Sequence, residues 1–245
     1  MIQKLLNIAK IAQSTQNSSV KNFNTTLPLL LTIIQKSKMG YLLKLGNTTI
    51  EAKSNANLQI GAQYWAIVKD VGGELLISKL KMRPKIAESA KNSPIKYELE
   101  NLMDFFKNAK FAKSADFVSE FYENIIDKIT NAKFKDDFTF LANSLFALNQ
   151  GILNLAIKDG MRDILLQIKR QKNDKIDFSA IFSNLGIING SIYKNEILQL
   201  VVQYENVKKL LDSNKNALDF NEIHIALDEN CEILFDEHDE TTFSA

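Results

Sequence analysis

Near residue 27 the spacing of apolar residues becomes typical of β-strands. From there to residue 80, short runs of aliphatic, aromatic and β-branched residues alternate with glycine- or asparagine-containing breaks, as in strands joined by turns. Gly46-Asn47 separates two such runs and can supply the positive φ that a two-residue hairpin turn requires. Several short antiparallel strands in one small region favour closure, because closure removes exposed edges. We therefore predict a small antiparallel β-barrel over residues 27–82.

The next segment, residues 83–134, changes to a helical period. Ser93-Pro94 suits a helix start, because proline is tolerated in the first turn. A stripe with this spacing normally faces a core, so we expect its phenylalanines to be structural. The residues that recur every three or four positions are Ile95, Leu99, Leu102 and Phe106, then Phe117, Phe121, Ile125 and Ile129.

Beyond residue 135 the pattern again predicts strands, beginning with the runs at 138–148 and 151–159. The residues of 197–204 alternate between a mixed and an apolar face, which fits a sheet covered by a helix on one side. A short helix and a last strand follow. This order predicts a C-terminal β-β-α-β sheet domain, and the fold class of the whole chain is α+β.

The predicted organisation has five parts. They are an N-terminal helix and polar linker at 1–26, the barrel at 27–82, the helical segment at 83–134, the α+β core at 135–228 and an acidic tail at 229–245.

The amino-acid composition bears on two classes of function, membrane insertion and nucleic-acid binding. Hydrophobic residues make up 45% of the chain and charged residues 24%, as in a soluble globular protein, and no apolar run approaches the roughly 20 residues of a membrane span. Seven of the 29 acidic residues lie at 228–245 without Lys or Arg, so residues 1–227 hold 22 acids against 30 bases. The basic residues are scattered, and we therefore expect neither nucleic-acid binding nor membrane insertion.

Residues for catalysis are scarce. The chain has one cysteine and two histidines, and it contains no phosphate-binding loop, HExxH, CxxC or GxSxG motif. His224 alternates with isoleucines on a predicted strand and should face solvent or a groove. Cys231 lies among acids, which raise a thiol pKa. We predict a protein that is not an enzyme and has no cofactor, no metal and no small-molecule substrate.

The stretch from Leu165 to Leu218 resembles the C-terminal core of the FliK-like family of flagellar hook-length control proteins. In that core a strand is followed by a turn ending in Leu-Gly, two further strands and a helix. Here Leu165 to Lys169 matches the first strand and Phe182 to Gly186 the turn. This chain keeps only Leu-Gly of the family's Pro-Glu/Asp-Glu-Leu-Gly turn. With 3 prolines, it also lacks the long Pro/Gln-rich ruler segment.

The earlier part of the chain is similar to the small β-domain that precedes that core in some members of the family. The residues that carry this likeness are Leu58, Gly61, Tyr64 and Trp65.

The resemblance implies a cytoplasmic protein, with export through the flagellar apparatus left open, that contacts the export-gate switch protein. The implied partner-binding residues are Asn184, Leu185, Gly186 and Asn189. Leu185 would fill the core, Gly186 would permit the bend, and the two asparagines would be exposed.

Two alternatives remain. In the first, the barrel binds single-stranded nucleic acid through Tyr41, Tyr64 and Trp65, unless these aromatics fill its interior. In the second, the protein is a structural adaptor whose helical segment at 95–130 docks a partner helix.

Overall fold

A computed structural model of the chain describes residues 27–38, 40–54, 56–71, 74–108 and 113–237. The fold is mixed α+β, with two sheets and, among these residues, five α-helices. The predicted N-terminal helix and linker at 1–26, and the last eight residues of the predicted acidic tail, lie outside the described residues.

The first sheet contains five antiparallel strands in the order β3-β2-β1-β4-β5. Gly46 adopts a φ of +58° between β2 and β3, which confirms the hairpin predicted at Gly46-Asn47. The strands are β1 (Leu29–Lys36), β2 (Gly40–Leu45), β3 (Thr48–Lys53), β4 (Gln63–Val71) and β5 (Glu74–Met82).

The predicted barrel is wrong, because this sheet is not closed. Its hydrogen-bonded order ends at β3 on one side and β5 on the other. Strand β4 gives the physical reason. Tyr64 and Ala66 pack in the small sheet's own core, whereas Trp65 and Ile67 belong to the core of the second sheet. Packing against a neighbouring sheet covers the apolar surface that closure would otherwise bury.

The second sheet has seven strands, and their order in space follows their order in the chain, from β6 at one edge to β12 at the other. Strands β7 to β11 are antiparallel neighbours. At the two edges, β6 pairs in parallel with β7, and β12 pairs in parallel with β11. The strands are β6 (Tyr97–Glu98), β7 (Ile152–Asp159), β8 (Arg162–Arg170), β9 (Lys175–Phe182), β10 (Gly186–Tyr193), β11 (Ile197–Val202) and β12 (Glu222–Leu227).

The helices connect the two sheets and the parallel strand pairs. Four of them lie between β5 and β7, and the fifth joins β11 to β12. They are α1 (Lys85–Ser89), α2 (Leu99–Asn108), α3 (Lys113–Thr130), α4 (Lys135–Asn149) and α5 (Glu205–Ser213). Among the described residues, no helix is both long and apolar enough to span a membrane.

The strand predicted at 138–148 is wrong, because these residues belong to α4. Aromatic and β-branched residues favour strands locally, but Phe140, Leu141, Ser144 and Ala147 recur at helical spacing and are buried. The helix start predicted at Ser93-Pro94 is also wrong. The Ser93 side chain closes a turn with Ile95, and the helix begins at Leu99 after β6.

The stripe predicted to be structural is buried wherever its side chains are described, except for half-buried Ile129. Its fully buried members are Ile95, Leu99, Leu102, Phe117, Phe121 and Ile125.

The two sheets meet through buried aromatic residues. Trp65 Nε1 donates a hydrogen bond to the carbonyl oxygen of Phe182 at 3.0 Å. Tyr204 Oη donates to the carbonyl oxygen of Lys79 at 3.3 Å. Since Phe182 ends β9 and Tyr204 follows β11, the small sheet is fastened beside the turn between β9 and β10.

Candidate functional site

The turn between β9 and β10 holds three of the four residues that the resemblance nominates. Leu185 is fully buried, and Gly186 has a φ of +76°. A Cβ at position 186 would lie 2.8 Å from Oε1 of Gln203 and 3.0 Å from Cε2 of Tyr204. Glycine is therefore required here both by backbone conformation and by space. The expected roles of Leu185 in the core and Gly186 in the bend agree with this geometry.

The two asparagines are half-buried, so the expectation that they are exposed is wrong. Nδ2 of Asn184 is buried and has no hydrogen-bond partner among the described residues. Asn189 lies in β10, where its Nδ2 donates to the carbonyl oxygen of Glu232 at 2.6 Å and its Oδ1 accepts from Ser179 Oγ at 2.7 Å. The turn thus brings Asn184, Leu185 and Gly186 together, whereas Asn189 holds another part of the chain.

That part is residues 231–237, here named the strap. It has no regular secondary structure, yet Cys231 and Phe235 are buried against the seven-stranded sheet. Gln167 Nε2 donates to the carbonyl oxygen of Phe235 at 2.6 Å, and the backbone N–H of Phe235 donates back to Gln167 Oε1 at 3.1 Å. One buried side-chain amide therefore pairs with the strap backbone as a neighbouring strand would.

A second glutamine links the strap to the turn. The backbone N–H of Ile187 donates to Gln203 Oε1 at 3.1 Å, and Gln203 Nε2 lies 3.5 Å from the carbonyl oxygen of Cys231. Gln203 is itself buried. The residues after Gly186 and the start of the strap are therefore connected through one side chain.

The strap covers a row of polar side chains that crosses four strands. Asn154, Gln167, Ser179 and Asn189 are successive partners in the register of β7, β8, β9 and β10. We name these four residues the polar row. The first three are fully buried, and both amide atoms of Asn154 have no hydrogen-bond partner among the described residues. Buried polar groups are normally paired, so this face requires polar partners.

The strap was not predicted from the sequence. Its acidic residues read as a solvated tail, and its anchors are four positions apart in a segment without regular periodicity. The available signal was the set of apolar residues within the acidic run, Cys231 and the stretch Ile233 to Phe235. The partner of Phe235 is Gln167, 68 residues away in the chain, and that of Cys231 is Gln203, 28 residues away.

The end of the strap borders a polar cleft of about 480 Å³. Arg83 is buried there and donates from Nη1 to Gln63 Oε1 at 2.7 Å, and burial lowers its pKa. Burial raises the pKa of Glu88 and that of Glu237, and each is raised further by a neighbouring carboxylate. Two carboxyl groups that both resist ionisation therefore meet where the strap ends.

The reactive side chains singled out from sequence lie apart. His224 is exposed on β12, with Nε2 2.6 Å from Oε1 of Glu222. The pKa of the Cys231 thiol is raised to about 11, first by burial and then by Asp228, which opposes thiolate chemistry. In the described part of the chain, no group of three or more His, Cys, Asp or Glu side chains could hold a metal ion.

The aromatics proposed for nucleic-acid stacking are interior residues. Tyr41, Tyr64 and Trp65 are all buried. The hydroxyl of Tyr41 accepts from the backbone N–H of Leu58, and that of Tyr64 accepts from Gln59, both at 3.1 Å. None of the three presents a ring face for a base to stack on.

Helix α3 carries an exposed apolar stripe beside its buried face. Val118, Tyr122 and Ile126 are 42%, 47% and 37% exposed and follow one another every four residues. Of the exposed acids of this helix, Glu123 lies on the side of the stripe away from the core, whereas Glu120 and Asp127 lie further around the helix. The helix therefore offers an exposed apolar stripe with one acidic neighbour, Glu123.

Comparison of the chain with protein-family models, with curated proteins and with solved structures finds no match in any of the three.

Proposed function

We propose that this protein is a non-enzymatic protein of the flagellar hook-length control type, which acts by contact with the export-gate switch protein. The observation that carries the proposal is the turn after β9. A buried Leu185 and a positive-φ Gly186 anchor it, and half-buried Asn184 has an amide nitrogen that is without a hydrogen-bond partner among the described residues and would become available once the side chain turns outward. Two strands and a helix follow, in the order that the resemblance implies.

Asn184 is the residue at this turn best suited to a partner. A donor without a partner next to the surface costs free energy in the isolated protein, about 1–3 kcal/mol where it is shielded from water. A carbonyl or carboxylate oxygen of a bound protein would recover that cost. Leu185 and Gly186 would then act by holding the turn rigid rather than by touching the partner.

The direct test is calorimetric titration of the full chain with the cytoplasmic domain of the export-gate switch protein from the same organism. Asn184→Ala should weaken binding at least ten-fold without lowering the unfolding midpoint, because it removes a donor that is unpaired in the isolated protein. Asn216→Ala, at an exposed position in the turn after α5, is the matched control and should bind as the wild type does. If the wild-type chain does not bind, or if both variants bind equally well, this proposal is wrong.

A genetic test is independent of the surface chosen. Deletion of the gene should give overlong hooks without filaments in electron micrographs. Hooks of normal length with normal motility would contradict the proposed role.

The apolar stripe on α3 supports a second candidate function, that of an adaptor which seats a basic amphipathic helix of a partner. Glu123 beside the stripe favours a basic partner helix, and the spacing of Val118, Tyr122 and Ile126 matches a helical ridge. An idealised Leu/Lys helical peptide should bind the full chain, and Tyr122→Glu should abolish binding. A Leu/Glu peptide with the same pattern is the control. Equal affinity for both peptides would exclude the adaptor.

A further inference from the structure

The polar row and the strap together form a peptide-binding arrangement. Hydrogen bonds from side-chain amides of the sheet and its flank hold the strap, namely those of Gln167, Asn189 and Gln203. These amides contact the strap's main-chain carbonyls and one main-chain N–H. Main-chain groups are common to all residues, so these contacts select an extended backbone rather than a sequence.

Sequence preference comes from the anchors and the end of the strap. Cys231 and Phe235 fill buried positions four residues apart. After Phe235, Asp236 Oδ1 accepts from the backbone N–H of Ile86 at 3.2 Å, and Glu237 accepts a hydrogen bond from Ser89 Oγ. The seat therefore fits a small residue, then an aromatic residue four positions later, then two acids.

Two features make the resident strap replaceable. Its contact with Gln203 is at 3.5 Å, the outer limit for a hydrogen bond, and the side chains of Glu232 and Asp236 are exposed. The row also extends beyond Gln167 to Asn154, whose amide has no partner among the described residues.

We infer that the face of the seven-stranded sheet marked by the polar row is a binding seat for an extended peptide of a partner protein. The strap occupies it as an internal competitor, and the partner segment carries an aromatic residue followed by two acidic residues. This inference goes beyond the proposed contact at the turn after β9 and does not depend on it, because the seat is made by different side chains.

The probe is a fluorescent synthetic peptide with the sequence of residues 228–237 and the change Cys231→Ser. Its binding to the full chain is followed by anisotropy. The wild-type chain should bind it weakly, because its own strap competes. A Phe235→Ala chain, whose strap has lost its larger anchor, should bind it at least ten-fold more tightly. A peptide that also carries Phe235→Ala is the matched control and should bind neither chain.

The only cysteine of the chain provides a second readout that needs no protein variant. Cys231 is a buried residue of the seated strap, so its rate of reaction with a thiol reagent reports strap release. Saturating probe peptide should raise that rate at least five-fold in wild-type protein, and the control peptide should not change it.

If the Phe235→Ala chain does not fold, the labelling rate of Cys231 in the wild-type protein tests the inference by itself. The inference is overturned if a folded Phe235→Ala chain binds the probe no better than wild type does, or if millimolar probe leaves the labelling rate of Cys231 unchanged.

Discussion

The two faces of the seven-stranded sheet differ in what they require of the chain that covers them. One face carries apolar side chains such as Ile168 and Phe178. The other carries the polar row beside a second row of buried apolar residues, Ala156, Leu165, Ile181 and Ile187. An apolar face gains free energy from any well-packed cover. The polar row is satisfied only by a cover that also supplies hydrogen-bond partners in the correct places. The second face therefore specifies its occupant, and the strap meets that specification with its backbone.

The substitution with the largest expected effect on the free energy of unfolding lies on the apolar face. Phe178 is almost fully buried, and a Cβ at Gly190 would lie 2.4 Å from its Cζ, so the opposite strand leaves room for this ring. Phe178→Ala should lower the free energy of unfolding by about 3–5 kcal/mol, because it removes buried area and leaves a cavity. Urea unfolding measures this change. A loss below about 1 kcal/mol would show that the face is loosely packed.

A smaller effect is expected from the polar face. Gln167→Ala removes both hydrogen bonds to Phe235 and should lower the free energy of unfolding by about 1–3 kcal/mol. Unlike Phe178→Ala, it should also speed thiol labelling of Cys231 under conditions where the rest of the protein stays folded. If labelling rises only in step with global unfolding, the strap is not held locally by Gln167.

At Asn154, at the end of the polar row, a substitution is expected to change the free energy of unfolding in the opposite direction. Its amide is fully buried, with neither atom paired among the described residues. Replacing such a group by an apolar one removes a desolvation penalty, so Asn154→Val should be neutral or stabilise the fold by about 1 kcal/mol. Differential scanning calorimetry reports the shift. A loss of more than about 1 kcal/mol would mean that the amide is satisfied by an internal water.

The weakest of these effects is a pH dependence at the end of the strap. The pKa values of Glu88 and Glu237 are raised, mainly by burial, so the native state favours their protonated forms. Their contribution to stability is therefore complete below the ordinary glutamate pKa of about 4.3 and is lost as the pH rises through the raised values. Acidification from neutral pH toward the ordinary glutamate pKa should therefore stabilise the wild type.

The variant Glu237→Gln should flatten this dependence, and Glu232→Gln, which changes an exposed strap residue, should not. Asp177 does not interfere in this range. Burial opposes its ionisation, but hydrogen bonds from Ser191, Lys175 and Gln171 outweigh that effect and lower its pKa. Its stabilising contribution is lost only as the pH falls below the ordinary aspartate value of about 3.9. Identical urea midpoints for wild type and Glu237→Gln across the range would refute this account of the two glutamates.

Local signals in the sequence predicted the elements that depend on neighbouring residues. The Gly46-Asn47 hairpin follows from turn chemistry, and the buried stripe on α2 and α3 follows from a helical period. Helix α4 was misassigned because phenylalanine and threonine favour strands, and its burial depends on packing against other elements. The open edge of the small sheet was not predictable either, because the second core that covers β4 lies far away in sequence.

The candidate site was predictable only in part. A Leu-Gly pair before a strand indicates a turn, and Leu185 and Gly186 form one. The strap was not predictable, since no local pattern links Gln167 to Phe235 across 68 positions. Register across four strands creates the polar row, and register is a property of the folded sheet.

Amide hydrogen exchange at Phe235 tests the central claim most directly, because that N–H lies in a segment without secondary structure and donates to Gln167 Oε1. The account predicts exchange at least 100-fold slower than in an unfolded chain, with that protection lost in Gln167→Leu while the strands of the sheet stay protected. Exchange of the Phe235 amide at the unfolded-chain rate in the wild type would contradict the claim that the polar row seats the strap.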